Sequence, residues 1–429
     1  MPKLSVFQTI LLSAFGALAV SGVLIFALVI GSGSGTNIGP VMIWGTFDEN
    51  TFRKIIRESA EQDGRLLSVT YEQKDEDKFA DLLTEALASG TGPDIFILRQ
   101  ENAVRDAGKV FPIPYDGFSE TQFRNTFIEA ANPYLGEAGV LGIPLLADPL
   151  VLYWNRDMLA SAGFASPPRY WDELSGMAQS ITKRNEAGQV QKSAISFGEY
   201  RNVSHAKEIV STLILQAGGL ITTRDSIGRL VSVFTPRQAI ESALRFYTEF
   251  ADPSKAIYSW SRAMPESRSA FASGDLALYI GFASEYGAVA RMNPNLNFAV
   301  ASIPQIRSAE RTLTFARVYA LSVARTTKNP SGAVQVASLL ASAETSSALS
   351  NAYGIPSARR DVLTQTTPAA SNDDLFKKQA IASGSWTDPD PAKTDDVFRG
   401  MIENVTTGTM RLSEAVARAH QEIGHILEL

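Results

Sequence analysis

Residues 139–174 read GVLGIPLLADPLVLYWNRDMLASAGFASPPRYWDEL, and this stretch decides the fold. Val140 to Pro144 reads as a short strand. Asp148-Pro149 is a polar break. Leu150 to Trp154 reads as a second strand, because it is short, bulky and bounded by breakers. Asn155-Arg156-Asp157 can cap a short helix, Met158 to Ala162, which Gly163 closes. Pro167-Pro168 then stops the chain, and Trp171-Asp172-Glu173-Leu174 opens the next helix. An acid held between two buried strands and followed by an aromatic pair suits a chain that crosses between lobes and lines the cleft there. The plainer reading is a strand–helix unit of any α/β protein.

Toward the N-terminus the pattern alternates. Val41 to Trp44 is a strand, Glu49 to Glu61 an amphipathic helix with Phe52, Ile55 and Ile56 inward, and Leu66 to Tyr71 a strand. Phe79, Leu82, Leu83, Ala86 and Leu87 line a helix closed by Gly90, and Gly92-Pro93-Asp94 turns into the strand Ile95 to Leu98. This β-α-β-α-β run predicts a parallel sheet with right-handed crossovers. Ligands of such sheets sit beyond the carboxyl ends of the strands, here Gly45 to Asp48 and Arg99 to Asn102. Toward the C-terminus, helices are expected at Ser175 to Arg184, Ala206 to Gln216, Pro236 to Phe250 with Thr235 as cap, and Ser267 to Gly274. Strands are expected at Ser193 to Phe197, Leu276 to Ile280, Phe298 to Pro304 and Tyr319 to Ala324. Asp395 to Leu427 reads as helical.

A chain of 429 residues suffices for two or three domains. Its net charge of −6 argues against a nucleic-acid partner, which needs a basic face. The absence of cysteine excludes disulfides, thiolate metal sites, cysteine nucleophiles and a lipid-modified N-terminal cysteine. The three histidines are His205, His420 and His425, and the last two stand off a common helical face, so no metal site is expected. No nucleophile elbow, P-loop, dinucleotide fingerprint or His-Glu-x-x-His motif is present, so neither an enzyme nor a cofactor is expected.

Val6 to Ile30 runs without a charge and is long enough to span a hydrocarbon core of about 30 Å. We read it as an uncleaved transmembrane anchor. A signal peptide is the alternative, because Ala17-Leu18-Ala19 imitates a cleavage site, but the apolar run continues well past it. Lys3 and the amino terminus place the N-terminal end in the cytoplasm and the rest outside. Gly31-Ser32-Gly33-Ser34-Gly35 is a flexible tether.

The central stretch resembles the signature of the family 1 extracellular solute-binding proteins, the maltose-binding-protein-like receptors of ABC importers. The resemblance is carried by Leu141-Gly142-Ile143-Pro144, Leu152-Tyr153-Trp154-Asn155-Arg156-Asp157, Ala162-Gly163, Pro167-Pro168 and Trp171-Asp172-Glu173-Leu174, with the spacing kept. Gly90-Thr91-Gly92-Pro93-Asp94-Ile95, the string AFASGDLALYIG (residues 270–281), Phe298 to Pro304 and Tyr353 to Arg359 extend it over roughly residues 40 to 425. The resemblance implies an α/β, two-lobed periplasmic-binding-protein-like fold of type II, each lobe a mainly parallel sheet flanked by helices, beside the one N-terminal transmembrane helix. The expected division is residues 1–30 anchor, 31–39 tether, 40–145 and 320–360 lobe 1, and 146–319 and 361–429 lobe 2. The chain would cross between the lobes three times. The implied function is capture of a small solute, a sugar or oligosaccharide, by hinge closure, with ABC permease subunits as partners. The protein would be a monomer on the outer face of a cell membrane. A ligand sensor or scaffold for another membrane partner is the alternative, and a surface hydrolase is a third reading.

Sugars are held by aromatic faces together with carboxylate, amide and Arg partners. Asp48 either lines the cleft or caps the following helix, and Trp44 either joins it or packs in the core. Glu101 and Arg99 follow a strand. Asp148 stands where the family places a ligand-binding acid. Phe282 and Tyr286 follow the strand after which the family often has a stacking Trp; this chain has Gly281-Phe282-Ala283 instead. Trp260 and Arg262 could substitute for it. Arg317 and Tyr319 flank a crossing strand, and Tyr353 precedes the Gly-Ile-Pro element. Of Tyr153 and Trp154, one faces the core.

Overall fold

The computed structural model describes residues 38–309, 311–365 and 372–428. The expected anchor and most of the tether lie outside these residues. Among the described residues no helix is long and apolar enough to cross a membrane.

Strands β1 (Val41–Gly45), β2 (Val69–Gln73) and β3 (Ile95–Arg99) are parallel, in the order β2-β1-β3. Helices α1 (Glu49–Gln62) and α2 (Phe79–Ser89) make the crossovers, and α2 ends at Gly90 in the left-handed conformation (φ 72°). The second strand starts later than its apolar pattern suggests, because Gly64–Leu66 forms a 3-10 turn first.

Strand β4 (Ile143–Asn155) corrects the expectation of two strands around a polar break. It is one strand of 13 residues, and Asp148-Pro149 lies within it. Two different neighbours explain this. Ile143 to Pro149 pair with β11 (Thr314–Val323), and Leu150 to Trp154 pair with β9 (Leu276–Phe282). Pro149 stands at the changeover, where its missing N–H interrupts neither ladder.

The remaining strands are β5 (Lys183–Arg184), β6 (Val190–Ile195), β7 (Leu220–Arg224), β8 (Leu230–Thr235), β10 (Phe298–Ala301) and β12 (Ser383–Gly384). The main sheet runs β2-β1-β3-β11-β4-β9-β6-β5, with β10 on β4 and β12 on β11. Lobe 1 is parallel apart from β11. Lobe 2 corrects the expectation of a mainly parallel sheet. There β6 and β9 are parallel, but β4–β9, β4–β10 and β5–β6 are antiparallel. The reason is topological: β4 enters lobe 2 already running outward from lobe 1, and β9 returns against it.

Helices α3 (Ala206–Gln216), α4 (Arg237–Thr248), α5 (Pro391–Thr406) and α6 (Leu412–Glu428) build the outer part of lobe 2. Thr235 does not cap α4; it ends β8, paired with Leu220 in a hairpin that the sequence pattern did not reveal.

Two apolar cores result. One gathers residues from Val41 to Ala147 and from Ala316 to Leu363, with Ala380. The other gathers residues from Leu150 to Phe315 and from Phe376 to Ile423. The chain passes between them at Asp148-Pro149, at Phe315-Ala316, and between Leu363 and Phe376. Beside these passages Arg311 grips Glu129 through two hydrogen bonds of 2.6 and 3.0 Å, and the Ser385 hydroxyl donates to the Ala130 carbonyl.

Candidate functional site: a charged cleft between the lobes

A cavity of about 540 Å³ lies between the lobes. Lobe 1 supplies Arg99, Glu101, Asn102 and Arg105, from the carboxyl end of β3 and the 3-10 turn after it. Lobe 2 supplies Lys207, Glu208 and Ser211 from the first turns of α3, then Trp386 and Asp388, then Asp395, Asp396 and Arg399 of α5. A wider groove between α5 and α6 is lined by those two helices alone.

Strand β11 adds Phe315 to the lining, and its next residues lie behind it. Its alternation turns Ala316, Val318 and Ala320 into the lobe 1 core, while Arg317 and Tyr319 keep partial exposure on the other face. The Arg317 guanidinium lies 3.5 Å from Glu101 of lobe 1 and 3.7 Å from Glu208 of lobe 2. Arg99 also meets Glu101, at 3.1 Å. Burial opposes the charge on Glu101, but Arg317, Arg99 and Lys207 outweigh it and hold the carboxyl below its ordinary value. The Arg317–Glu101 contact is too long for a good hydrogen bond, and among the described residues Arg317 Nε has no hydrogen-bond partner.

Register brings the rest of the centre together. Arg317 pairs with Asp148 across β11–β4, and Leu150 pairs with Phe282 across β4–β9. Asp148 is 1% exposed and accepts the Ser284 N–H at 3.0 Å. Burial pushes its pKa up to about 6. Phe282 lies under the Arg317 guanidinium, 4.5 Å from ring centre to cation, with the His205 ring at its edge, 4.7 Å away. His205 Nε2 bonds Glu285 Oε1, which also accepts the Phe282 N–H at 3.2 Å. Tyr279 donates to the other Glu285 oxygen at 2.5 Å. Gly281 makes room for this: a methyl group there would stand 2.6 Å from the Tyr279 ring.

At the far side, Lys207 Nζ donates to Asp388 and Thr394 at 2.7 Å each, and to the Pro391 carbonyl at 3.2 Å. Asp388 is buried, which pushes its pKa up to about 6 against the pull of Lys207. Trp386 stacks on Phe398 with centroids 6.0 Å apart and donates from Nε1 to Ser211. Arg399 is paired with Asp395 and Asp396, and Arg105 with Asp106. Each cation lining the cavity therefore already has a carboxylate.

The structure thus brings Glu101, Asp148, Phe282 and Arg317 to one centre, with Arg99 beside them. It places the other candidates elsewhere. Asp48 is the exposed cap of α1, accepting the Thr51 N–H at 2.9 Å and hydroxyl at 2.7 Å, which lower its pKa. Tyr353 donates to the Asp48 carbonyl and packs on Phe47, which also meets Tyr319. Tyr286 packs on Phe298 and Phe376. Trp260 is 0% exposed in the lobe 2 core, its Nε1 bonded to Asn202, so it is no replacement for a stacking Trp. Arg262 pairs with Glu199. Trp44 is core, and of the Tyr153–Trp154 pair Tyr153 is the buried member. Sequence reasoning missed His205, Lys207, Glu208, Glu285, Trp386 and Asp388. The one local signal was Trp386-Thr387-Asp388-Pro389, a tryptophan in an Asp/Pro loop directly before a Pro-started helix.

Two α/β lobes joined by crossing strands, with a polar cavity between them, define a solute-binding architecture. The model of the bacterial extracellular solute-binding proteins matches residues 54–378, and the chain belongs to that family. Among curated proteins it is similar to a putative binding protein of Brucella abortus, 24% identical over 255 residues, which are 58% of each chain. The match thus spans less than three-fifths of that relative's length. Among solved structures it is similar to an ABC transporter solute-binding protein from Thermotoga lettingae bound with α-D-tagatose. That likeness has a TM-score of 0.69 and 21% identity, covering 91% of this chain and 100% of the other. It is also similar to the cyclic α-maltosyl-1,6-maltose binding protein from Arthrobacter globiformis, with a TM-score of 0.74, 17% identity and coverage of 91% and 100%.

Proposed function

We propose that this chain captures a neutral, hydroxyl-rich solute, a mono- or oligosaccharide, between its two lobes and delivers it to the permease of an ABC importer. The observation that carries this reading is the cavity between the lobes, whose cations are all committed to carboxylates. An anionic solute would find no uncommitted positive charge. A sugar needs none: its hydroxyls accept from guanidinium and ammonium groups and donate to Glu101, Glu208 and Asp388 at the same time. The sugars bound by the Thermotoga and Arthrobacter proteins point the same way. Closure would be a hinge motion about the crossing strands. The protein binds rather than turns over its ligand, outside the cytoplasm, held to the membrane by Val6 to Ile30.

The test is ligand-induced thermal shift against mono- and oligosaccharides, sugar phosphates, uronates, amino acids and polyamines, with small-angle scattering on any hit. A neutral saccharide at a hundredfold excess over its Kd should add about 2.7 kcal/mol of stability and compact the molecule. A shift from anionic sugars alone would overturn the neutral-solute reading. Silence across the panel would favour a sensor or scaffold feeding another membrane partner.

A further inference from the structure

His205 stands at the start of α3 with φ 60°, a left-handed conformation that a non-glycine residue adopts at a cost. No side-chain cap compensates at that helix start. What the position does achieve is contact between the start of α3, which lines the cavity, and the buried loop after β9. Two residues along the helix from His205 comes Lys207, then Glu208, both lining the cavity. Across from it lies Glu285, which also fixes the Phe282 backbone and the Tyr279 hydroxyl. The imidazole and the Phe282 ring meet in a T-shaped contact.

We propose that His205 is a positioning residue of the cleft: protonated and paired with Glu285, it holds the first turn of α3 against the Phe282 loop, and it loosens both when it loses its proton. The consequence for solute affinity rests on the capture reading above; the coupling of the two segments does not.

The surroundings set the sign. Glu285 faces the imidazole from the loop after β9, and Glu208 from α3 itself. Arg317 faces it from β11. Around Glu285 stand Tyr279 of β9 and Arg268, 3.9 Å away on the Ser267–Ser273 helix, with Asp148 of β4 nearby; Glu266 bonds the neighbouring Ser204. Burial and Arg317 disfavour the imidazolium, and Glu285 with Glu208 outweighs them, so the His205 pKa is raised. A raised histidine value means that the pair is fully present below the unfolded value of about 6.5 and is lost as pH rises through the folded one. A neutral imidazole can still donate from Nε2, but without the charge that strengthens the bond.

The test needs no ligand. Hydrogen exchange of the full chain in detergent, corrected for intrinsic rates, would follow the peptides covering 206–211 and 282–285 at about pH 6 and about pH 8.5. Both segments should lose protection together, roughly tenfold, at the higher pH. His205→Gln keeps a donor that does not titrate, so its protection should be intermediate and independent of pH; His205→Ala should be loose at both values. The chain has three histidines, so the imidazole resonance that His205→Gln removes identifies the site and should titrate above the free value. Protection that ignores pH, or that changes in one segment alone, would overturn the proposal. Maltotetraose is the affinity probe, expected to weaken with rising pH in the native chain and not in His205→Gln. If neither it nor any other saccharide of the panel gives heat at any pH while exchange behaves as stated, the capture reading fails and the positioning role stands.

Discussion

The two walls of the cleft are built on different principles. The lobe 1 wall is one run of chain, Arg99 to Arg105, delivered by the end of β3; beside it Phe47, Tyr319 and Tyr353 pack ring on ring at 5.0 and 4.9 Å. The lobe 2 wall comes from three separate stretches, the start of α3, Trp386–Asp388 and the start of α5, with Phe315 of β11. Side-chain links between them, Lys207–Asp388, Lys207–Thr394 and Trp386–Ser211, hold it in shape, and His205–Glu285 ties the start of α3 to the buried Phe282 loop. A wall set by strand ends is hard to move. A wall set by polar links can be retuned one pair at a time, and it answers to pH.

The largest expected effect removes the support of the second wall. Trp260→Ala empties a fully buried site and strands Asn202, which also ties Ser261 and Met264. Denaturant unfolding should show a loss of about 3–5 kcal/mol. A loss under about 1 kcal/mol would show lobe 2 to be less dependent on its core than described.

Next come the two carboxylates that share Arg317, one from each wall. Glu101 touches two guanidinium groups, at 3.1 and 3.5 Å, and Glu208 one, at 3.7 Å. Glu101→Gln should cost about 3 kcal/mol, and Glu208→Gln about 1 kcal/mol. Equal costs in chemical denaturation would mean that Arg317 belongs to neither wall.

Asp148→Asn should act in the opposite direction. The native carboxyl has its pKa near 6 against an ordinary 3.8, so between those values the folded form holds the proton and the unfolded form does not. Stability therefore falls as pH rises through that window and levels off above it. The amide keeps an acceptor for Ser284 and has no charge to bury. Well above pH 6 the variant should be more stable than the native chain by about 3 kcal/mol, the two converging below about pH 4. Saccharide affinity should drop at the same time. A variant that gains stability and keeps full affinity would remove Asp148 from the site.

The smallest effect is at Asp48. Asp48→Asn preserves a cap for α1 and should leave saccharide affinity within about twofold by calorimetry. A larger loss would extend the lobe 1 wall to the loop after β1.

Lobe 1 was legible because its periodicity and its punctuation agree: Gly90 and Gly92-Pro93-Asp94 fall where helix yields to strand. Strand β4 was misread because Asp148-Pro149 looks like a break to anyone who cannot see that the neighbouring strand changes there. Strand direction in lobe 2 has no local signature at all. Glu101, Asp148, Phe282 and Arg317 could be found because they lie at strand ends or on a crossing strand. Lys207, Glu285 and Asp388 could not, since only tertiary pairing distinguishes them from other charges on helices and loops. Trp260 misled because a loop tryptophan with a buried Asn partner looks, in sequence, like an exposed one.

β4 and β11 pass from one core to the other while paired with each other, from Ile143 to Pro149 and from Ala316 to Leu321. Two of the three passages between the lobes thus form a two-stranded ribbon, closer to a leaf spring than to a pivot. It can store twist along its length without giving up the hydrogen bonds that cross it. Opening would then be elastic, with a restoring torque set by the ribbon's width and independent of whatever the cleft contains.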